Sequence, residues 1–178
     1  TWEQLTYNGS TVISGQTTEY WTHKTATQPR DHDGGDLHAW MTGQQIQHTR
    51  TRLMGSTWQR TETRTSYDAH GRVVEVDSLG DMSKSGDEYC TRTEYADNIT
   101  AWILDAVTRS ETVSVDCATT PSLPDDLVSD TLTFYDGSAT HGALPSRGLP
   151  TRLDVADDWN NGPVYVTTAQ IDHDDLGR

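Results

Sequence analysis

Thr61-Glu62-Thr63-Arg64-Thr65-Ser66-Tyr67-Asp68-Ala69-His70-Gly71-Arg72-Val73-Val74-Glu75-Val76-Asp77 is the stretch whose reading decides the fold. Its first half alternates threonine with charged residues, the period-2 pattern of a strand with one wet face. Its second half is rich in β-branched valine, and Asp68 to Gly71 lies between the two. An Asp can bond the turn backbone, and a Gly at the end of a short hairpin loop can take positive φ. The stretch therefore predicts a β-hairpin within Trp58–Gly80, with Leu79-Gly80-Asp81 as the following turn.

Working outward, the same texture recurs in Thr91-Arg92-Thr93-Glu94-Tyr95. Helical spacing of apolar residues is rare, and its best candidate, Ala101–Val107, reads equally well as a strand. The expectation is a mainly β chain. Irregular segments are expected at Gln28–Gly35, Ser83–Asp87, Ala118–Asp126, Gly137–Pro150 and Asp157–Pro163, where most of the Pro and Gly lie. None is a low-complexity linker, so residues 1–178 read as one β region.

Composition narrows the function classes. Only 33% of the 178 residues are hydrophobic, and mean hydropathy is −0.72. That is lean for a thick apolar core. Six Trp and seven Tyr against a single Phe, Phe134, argue for ordered packing in which rings are buried and polar edges stay wet. A net charge of −14 repels phosphate backbones, so nucleic acid is not an expected partner. The arginines of Thr49–Arg72 (Arg50, Arg52, Arg60, Arg64 and Arg72) alternate with Glu62 and Asp68 and read as a solvated strand face. No apolar run is long enough for a membrane span, and no signal-peptide pattern opens the chain, so membrane insertion is not expected. Cys90 and Cys117 fit neither a zinc cluster nor a C-x-x-C motif; a single disulfide is expected, two separate buried thiols being the alternative.

Sites of chemistry are sparse. Asp31-His32-Asp33-Gly34-Gly35-Asp36 invites a calcium reading, but counted from Asp31 an EF-hand loop would need Gly at Asp36 and Glu at Thr42. A solvated Asp/Gly loop is favoured, and neither metal nor cofactor is expected. Asp157-Asp158 beside Trp159 resembles the paired acids of glycoside hydrolysis, yet adjacent acids in a Gly/Asn-rich loop read better as a surface turn. No nucleophile elbow, zinc-protease motif or Cys/His signature is present, so no catalytic residue is assigned and the chain reads as a non-enzyme.

Tyr67-Asp68-Ala69-His70-Gly71-Arg72 has the form Y-D-x-x-G-R, and His173-Asp174-Asp175-Leu176-Gly177-Arg178 repeats it with His for Tyr. Tyr135-Asp136-Gly137 begins a degenerate copy in which an insertion replaces the tight turn, and Tyr95-Ala96-Asp97-Asn98 a weaker one. Uneven intervals of this size suit repeat architectures. These motifs resemble the YD-repeat, or RHS, family, which includes polymorphic toxins, shell-forming components of insecticidal toxin complexes, and teneurins; the texture is similar to the actinobacterial type. The resemblance implies antiparallel hairpin repeats in a spiralling β-sheet shell that encloses a C-terminal effector. It also implies a secreted or cell-surface location, with neighbouring repeats and an enclosed effector segment as partners.

In that reading Tyr67, Asp68, Gly71 and Arg72, with His173, Asp174, Gly177 and Arg178, have structural roles. The Tyr ring lies on neighbouring strands, Asp and Gly shape the turn, and Arg pairs with carboxylates or stacks on an aromatic. Family members that cleave themselves do so in a D-P-x-G core region, and this sequence contains no Asp-Pro. Because the copy at His173 stops where the second strand of a hairpin would begin, the chain is expected to be part of a longer array with an unpaired edge. The competing expectation is a carbohydrate-binding or adhesive module that offers Trp21, Trp40, Trp58, Trp102 and Trp159 to a cell-surface glycan.

Overall fold

A computed structural model describes residues 2–30 and 34–178. Asp31, His32 and Asp33, and with them the test of the calcium loop, lie outside the described residues. The fold is mainly β, as the alternating pattern predicts. The described residues form ten strands, a single 3-10 turn at Met54–Ser56 and no α-helix. They fall into two compact units, Thr1–Asp87 and Glu88–Arg178.

The first unit contains β1 (Trp2–Asn8), β2 (Thr11–Gln28), β3 (Leu37–Arg52), β4 (Trp58–Tyr67) and β5 (Val73–Asp81), each antiparallel to the next. Strands β2 and β3 outrun their neighbours: β1 reaches only Thr18 on β2, and β4 pairs with Ile46–Arg52, while the β2–β3 ladder continues to Gln28↔Leu37. The turn expected at Leu79-Gly80-Asp81 is instead strand. Thr61 pairs with Asp81 and Thr63 with Ser78, so β5 carries one extra residue, and Gly80 absorbs it as a bulge at φ +57°. The chain turns after Asp81, whose carboxylate accepts from the Ser83 N–H and hydroxyl.

The second unit contains β6 (Tyr89–Asn98), β7 (Ile103–Val113), β8 (Leu127–Tyr135), β9 (Pro150–Trp159) and β10 (Pro163–Gln170), again antiparallel in chain order. The ambiguous Ala101–Val107 segment resolves as a turn at Ala101 and Trp102 leading into β7. Asp157, Asp158 and Trp159 belong to β9, not to a surface loop, because Trp159 pairs with Pro163 and the reversal is confined to Asn160–Gly162. Asn161 and Gly162, both at positive φ, take up the turn there.

The two units bury different chemistry. The buried apolar side chains among the described residues (Cys90, Ala96, Ala106, Val113, Phe134 and Pro145) all belong to the second unit. In the first unit the buried side chains are Thr18, Glu62 and Asp81. A sheet whose most sequestered groups are hydroxyls and carboxylates depends on ladder hydrogen bonds and cross-strand pairs more than on oil-like burial. Within the second unit Cys90 is bonded to Cys117 across a separation of 27 residues, as the disulfide reading expects.

Candidate functional site

The repeated motif builds the same turn twice. Asp68 donates its N–H to the Arg72 carbonyl and receives the Gly71 N–H on its own carbonyl, both at 3.0 Å. Its Oδ1 accepts the His70 and Arg72 N–H groups, and its Oδ2 accepts Arg72 Nε at 2.7 Å. Asp174 repeats every bond. Its N–H goes to the Arg178 carbonyl, Gly177 donates to the Asp174 carbonyl, and Leu176 and Arg178 donate N–H groups to Oδ1. Arg178 Nε meets Oδ2 at 3.1 Å. The glycine of each copy is left-handed, Gly71 at φ +78° and Gly177 at +80°, which explains why that position is Gly. The acid thus clamps the backbone while the Arg, which is also i+4 to it, closes the clamp from outside.

The first residue of the motif anchors the turn to the preceding strand. The Tyr67 hydroxyl donates to the Gln44 carbonyl at 2.7 Å, and the Tyr135 hydroxyl donates to the Val107 carbonyl at 2.9 Å. His173 stands in for Tyr by placing Nε2 2.8 Å from the Pro150 carbonyl. Position one is therefore a ring with a polar tip, a requirement that His meets as well as Tyr.

The degenerate copy at Tyr135 keeps the clamp in spite of its insertion. Asp136 donates its N–H to the Leu149 carbonyl, the bond Asp68 makes to Arg72, although the separation is thirteen positions instead of four. Its carboxylate accepts N–H groups from Ser146, Arg147, Gly148 and Leu149. Gly148, at φ +72°, occupies the place of Gly71. The motif is thus split, with Tyr135-Asp136 on one side of the insertion and Ser146-Arg147-Gly148 on the other. The weaker copy near Tyr95 clamps with Asn98, whose Oδ1 accepts the Ala101 N–H; Trp102, at φ +55°, takes the left-handed position.

Burial alone would raise the Asp136 pKa, but the four N–H donors outweigh it and hold the carboxyl at about 2. Unfolding frees this group to take up a proton at an ordinary carboxylate pKa. Its stabilisation is complete above that ordinary value and is lost as the pH falls from about 4 through about 2. It amounts to roughly 1–2 kcal/mol after allowance for solvent screening. Asp136→Ala is expected to cost about 2 kcal/mol at neutral pH and to flatten this part of the acid limb, as measured by urea midpoints across the pH series.

Tyr67 reaches Gln44 by lying across Gly43. A Cβ on Gly43 would sit 2.5 Å from the Tyr67 Cζ. Trp21, which pairs with Gly43 in the β2–β3 register, stacks on Tyr67 at 5.0 Å and on His23 at 5.7 Å. Gly43→Ala is expected to dislodge the ring, cost about 1–3 kcal/mol and reduce the near-ultraviolet circular dichroism of the stack. Two of the tryptophans are strongly exposed, Trp40 at 57% and Trp102 at 76%. Trp21 is stacked, Trp58 lies under the Arg50 guanidinium at 5.4 Å, and Trp159 is half-buried beside a cavity with Asp157 and Asp158.

A cluster that the sequence reading missed crosses the second unit. Asp130, only 1% exposed, accepts both Nε and Nη2 of Arg109, at 2.9 and 2.8 Å, and the Tyr165 hydroxyl. Glu111 also holds Arg109, at 2.7 Å. Tyr165 pairs with Ala156 on the neighbouring strand β9. Burial, followed by its bond to Asp130, pushes the Tyr165 phenol up to about 12. Asp130 itself, despite burial, is held below the usual carboxylate range by Arg109 and Tyr165. The only hint in the sequence is an Arg, an Asp and a Tyr on strand-like runs, and that pattern does not specify register.

No protein-family model, curated protein or solved structure matches this chain.

Proposed function

We propose that this chain is a non-catalytic structural module of a secreted or cell-surface bacterial RHS-type protein. In this role its hairpins form part of a spiralling β shell that encloses or presents a C-terminal effector. The observation that carries the reading is the repeated clamp: an acid gathering the turn backbone, a left-handed Gly and a ring tied to the preceding strand, at Tyr67–Arg72 and again at His173–Arg178. A turn chemistry that recurs along the chain fixes the register of each hairpin it closes, which a long wound sheet requires. The polar burial of the first unit fits a wall with solvent on both sides better than a solid core. The disulfide fits an oxidising destination, and no helix among the described residues is long and apolar enough to cross a membrane.

Electron microscopy of the protein produced from the native locus tests this. A hollow β wall containing these hairpins, with a protease-protected segment inside, is the expected result. A solid globule with no interior volume would overturn it.

The second reading, a glycan-binding module, is favoured by the exposure of Trp40 and Trp102. A glycan array comparing the wild type with the Trp40→Ala and Trp102→Ala variants discriminates. Sugar retention lost in either variant would support it, and no retention by the wild type would remove it.

A further inference from the structure

A cavity of about 420 Å³ opens on the first unit, lined in part by Glu3, Thr17, His48, Arg50, Arg60 and Glu62. The strand register explains how it forms. Leu5, Gly15, Arg50 and Arg60 make one cross-strand row on β1 to β4, and Glu3, Thr17, His48 and Glu62 make the next. Gly15 leaves the row without a side chain at its second place. A Cβ there would sit 2.9 Å from Arg50 Nε, so the glycine is what lets the Arg50 side chain lie down on the sheet.

Two features of this row run against ordinary sheet chemistry. Arg50 and Arg60 face each other directly across the β3–β4 ladder, an arrangement that like charges disfavour. Moreover, Arg60 has no ion pair with any acidic side chain among the described residues, in a chain with 27 acidic residues against 13 Lys and Arg. The acids nearby are committed elsewhere. Glu62, buried, is held by Arg64 at 2.6 Å and by His48 at 3.2 Å. Glu3 meets Arg50 only at 3.6 Å, and both side chains are about half exposed, which makes it a weak pair.

We infer that this cavity binds a small oxyanion-bearing ligand, a carboxylate or phosphate group held by Arg60 together with Arg50, whose side chain lies against Gly15 beside Leu5. Guanidinium forks suit such planar or tetrahedral oxyanions, and the volume accommodates one sugar-acid or amino-acid-sized group. The bound anion supplies the charge that offsets the Arg50–Arg60 repulsion. It also gives the arginine-rich Thr49–Arg72 run a role beyond that of a solvated face.

Calorimetric titration of the whole chain with sodium glucuronate, with inorganic phosphate and with neutral glucose tests the inference, together with NMR of the arginine Nε–H groups. Saturable binding of glucuronate or phosphate, but not glucose, with shifts at Arg50 and Arg60, is expected; whichever anion binds identifies the ligand source. Arg60→Gln should weaken binding about tenfold or more without lowering the melting temperature. Glu3→Gln should tighten it, because a competing carboxylate is gone, and Lys24→Gln, outside the cavity, should leave it unchanged. Absence of saturable binding by either anion, equal binding by glucose, or full affinity in Arg60→Gln would overturn the inference.

Discussion

Replacing Arg109 with Ala is expected to destabilise the second unit by about 3–5 kcal/mol, because it leaves Asp130 buried with the Tyr165 hydroxyl as the one remaining hydrogen-bond donor to its carboxylate among the described residues. The effect arises from asymmetry. Asp130 has already lost its hydration, so removing the part-exposed Arg109 leaves the desolvation cost of the carboxylate uncompensated. Urea unfolding at neutral pH measures it. The double variant Arg109→Met/Asp130→Leu should be milder than the single one, since the buried Asp130 charge is gone and only the part-exposed Glu111 loses its ion pair. If the single and double variants lose the same stability, then packing, not charge, accounts for the Arg109 effect. The pH dependence follows with a definite sign. Asp130 titrates below its unfolded value, so the bridge contributes at neutral pH and is lost as acid protonates the carboxylate.

The second large effect concerns Cys90 and Cys117. Their bond closes a loop spanning 27 residues of sequence, for which chain entropy assigns about 3.5 kcal/mol of stabilisation. Reduction, or the Cys90→Ser/Cys117→Ser pair, is expected to lower the urea-derived stability of the unit by that order. Alkylation without reduction should add no mass. Two additions would show free thiols. Cys90 faces Val113 in the β6–β7 register, at the end of the ladder, so the bond ties the segment after β7 back to β6 at its open end. A fold with few buried aliphatics has little to replace such a tie.

These two interactions mark where the sequence was legible and where it was not. Alternation of Thr with charge over 61–65 was enough to place β4, and Asp68 with Gly71 placed its turn, because both signals are local and rest on backbone preference. The second clamp at Asp174 followed from the same local chemistry. Leu79-Gly80-Asp81 misled because a left-handed Gly serves a bulge as well as a turn, and only the partner strand decides between them. The Asp157–Pro163 segment misled for a related reason: Pro163 and the paired acids look loop-like, but Pro163 opens the edge strand β10, where proline is tolerated. The Arg109–Asp130–Tyr165 cluster and the Arg50–Arg60 row were invisible because each depends on register across strands, which is fixed by the whole ladder and not by any one segment. The split motif at Asp136 stands between these cases. Ser146-Arg147-Gly148 carries a readable fragment of the pattern, hidden only by its distance from Tyr135-Asp136.

That split clamp separates the stem of a hairpin from its tip. Because Asp136 grips mainly backbone N–H groups, with the Ser146 hydroxyl as an added donor, the strands β8 and β9 are brought together by the clamp itself and not by the tip of the excursion between its two halves. Lengthening a loop whose ends are already fixed costs little, about 0.6 kcal/mol for each doubling. The exposed Ala139 is thus a natural splice point, where a peptide epitope or a small folded domain can be grafted provided that His141 keeps its place against the Thr108 carbonyl and the Phe134 ring.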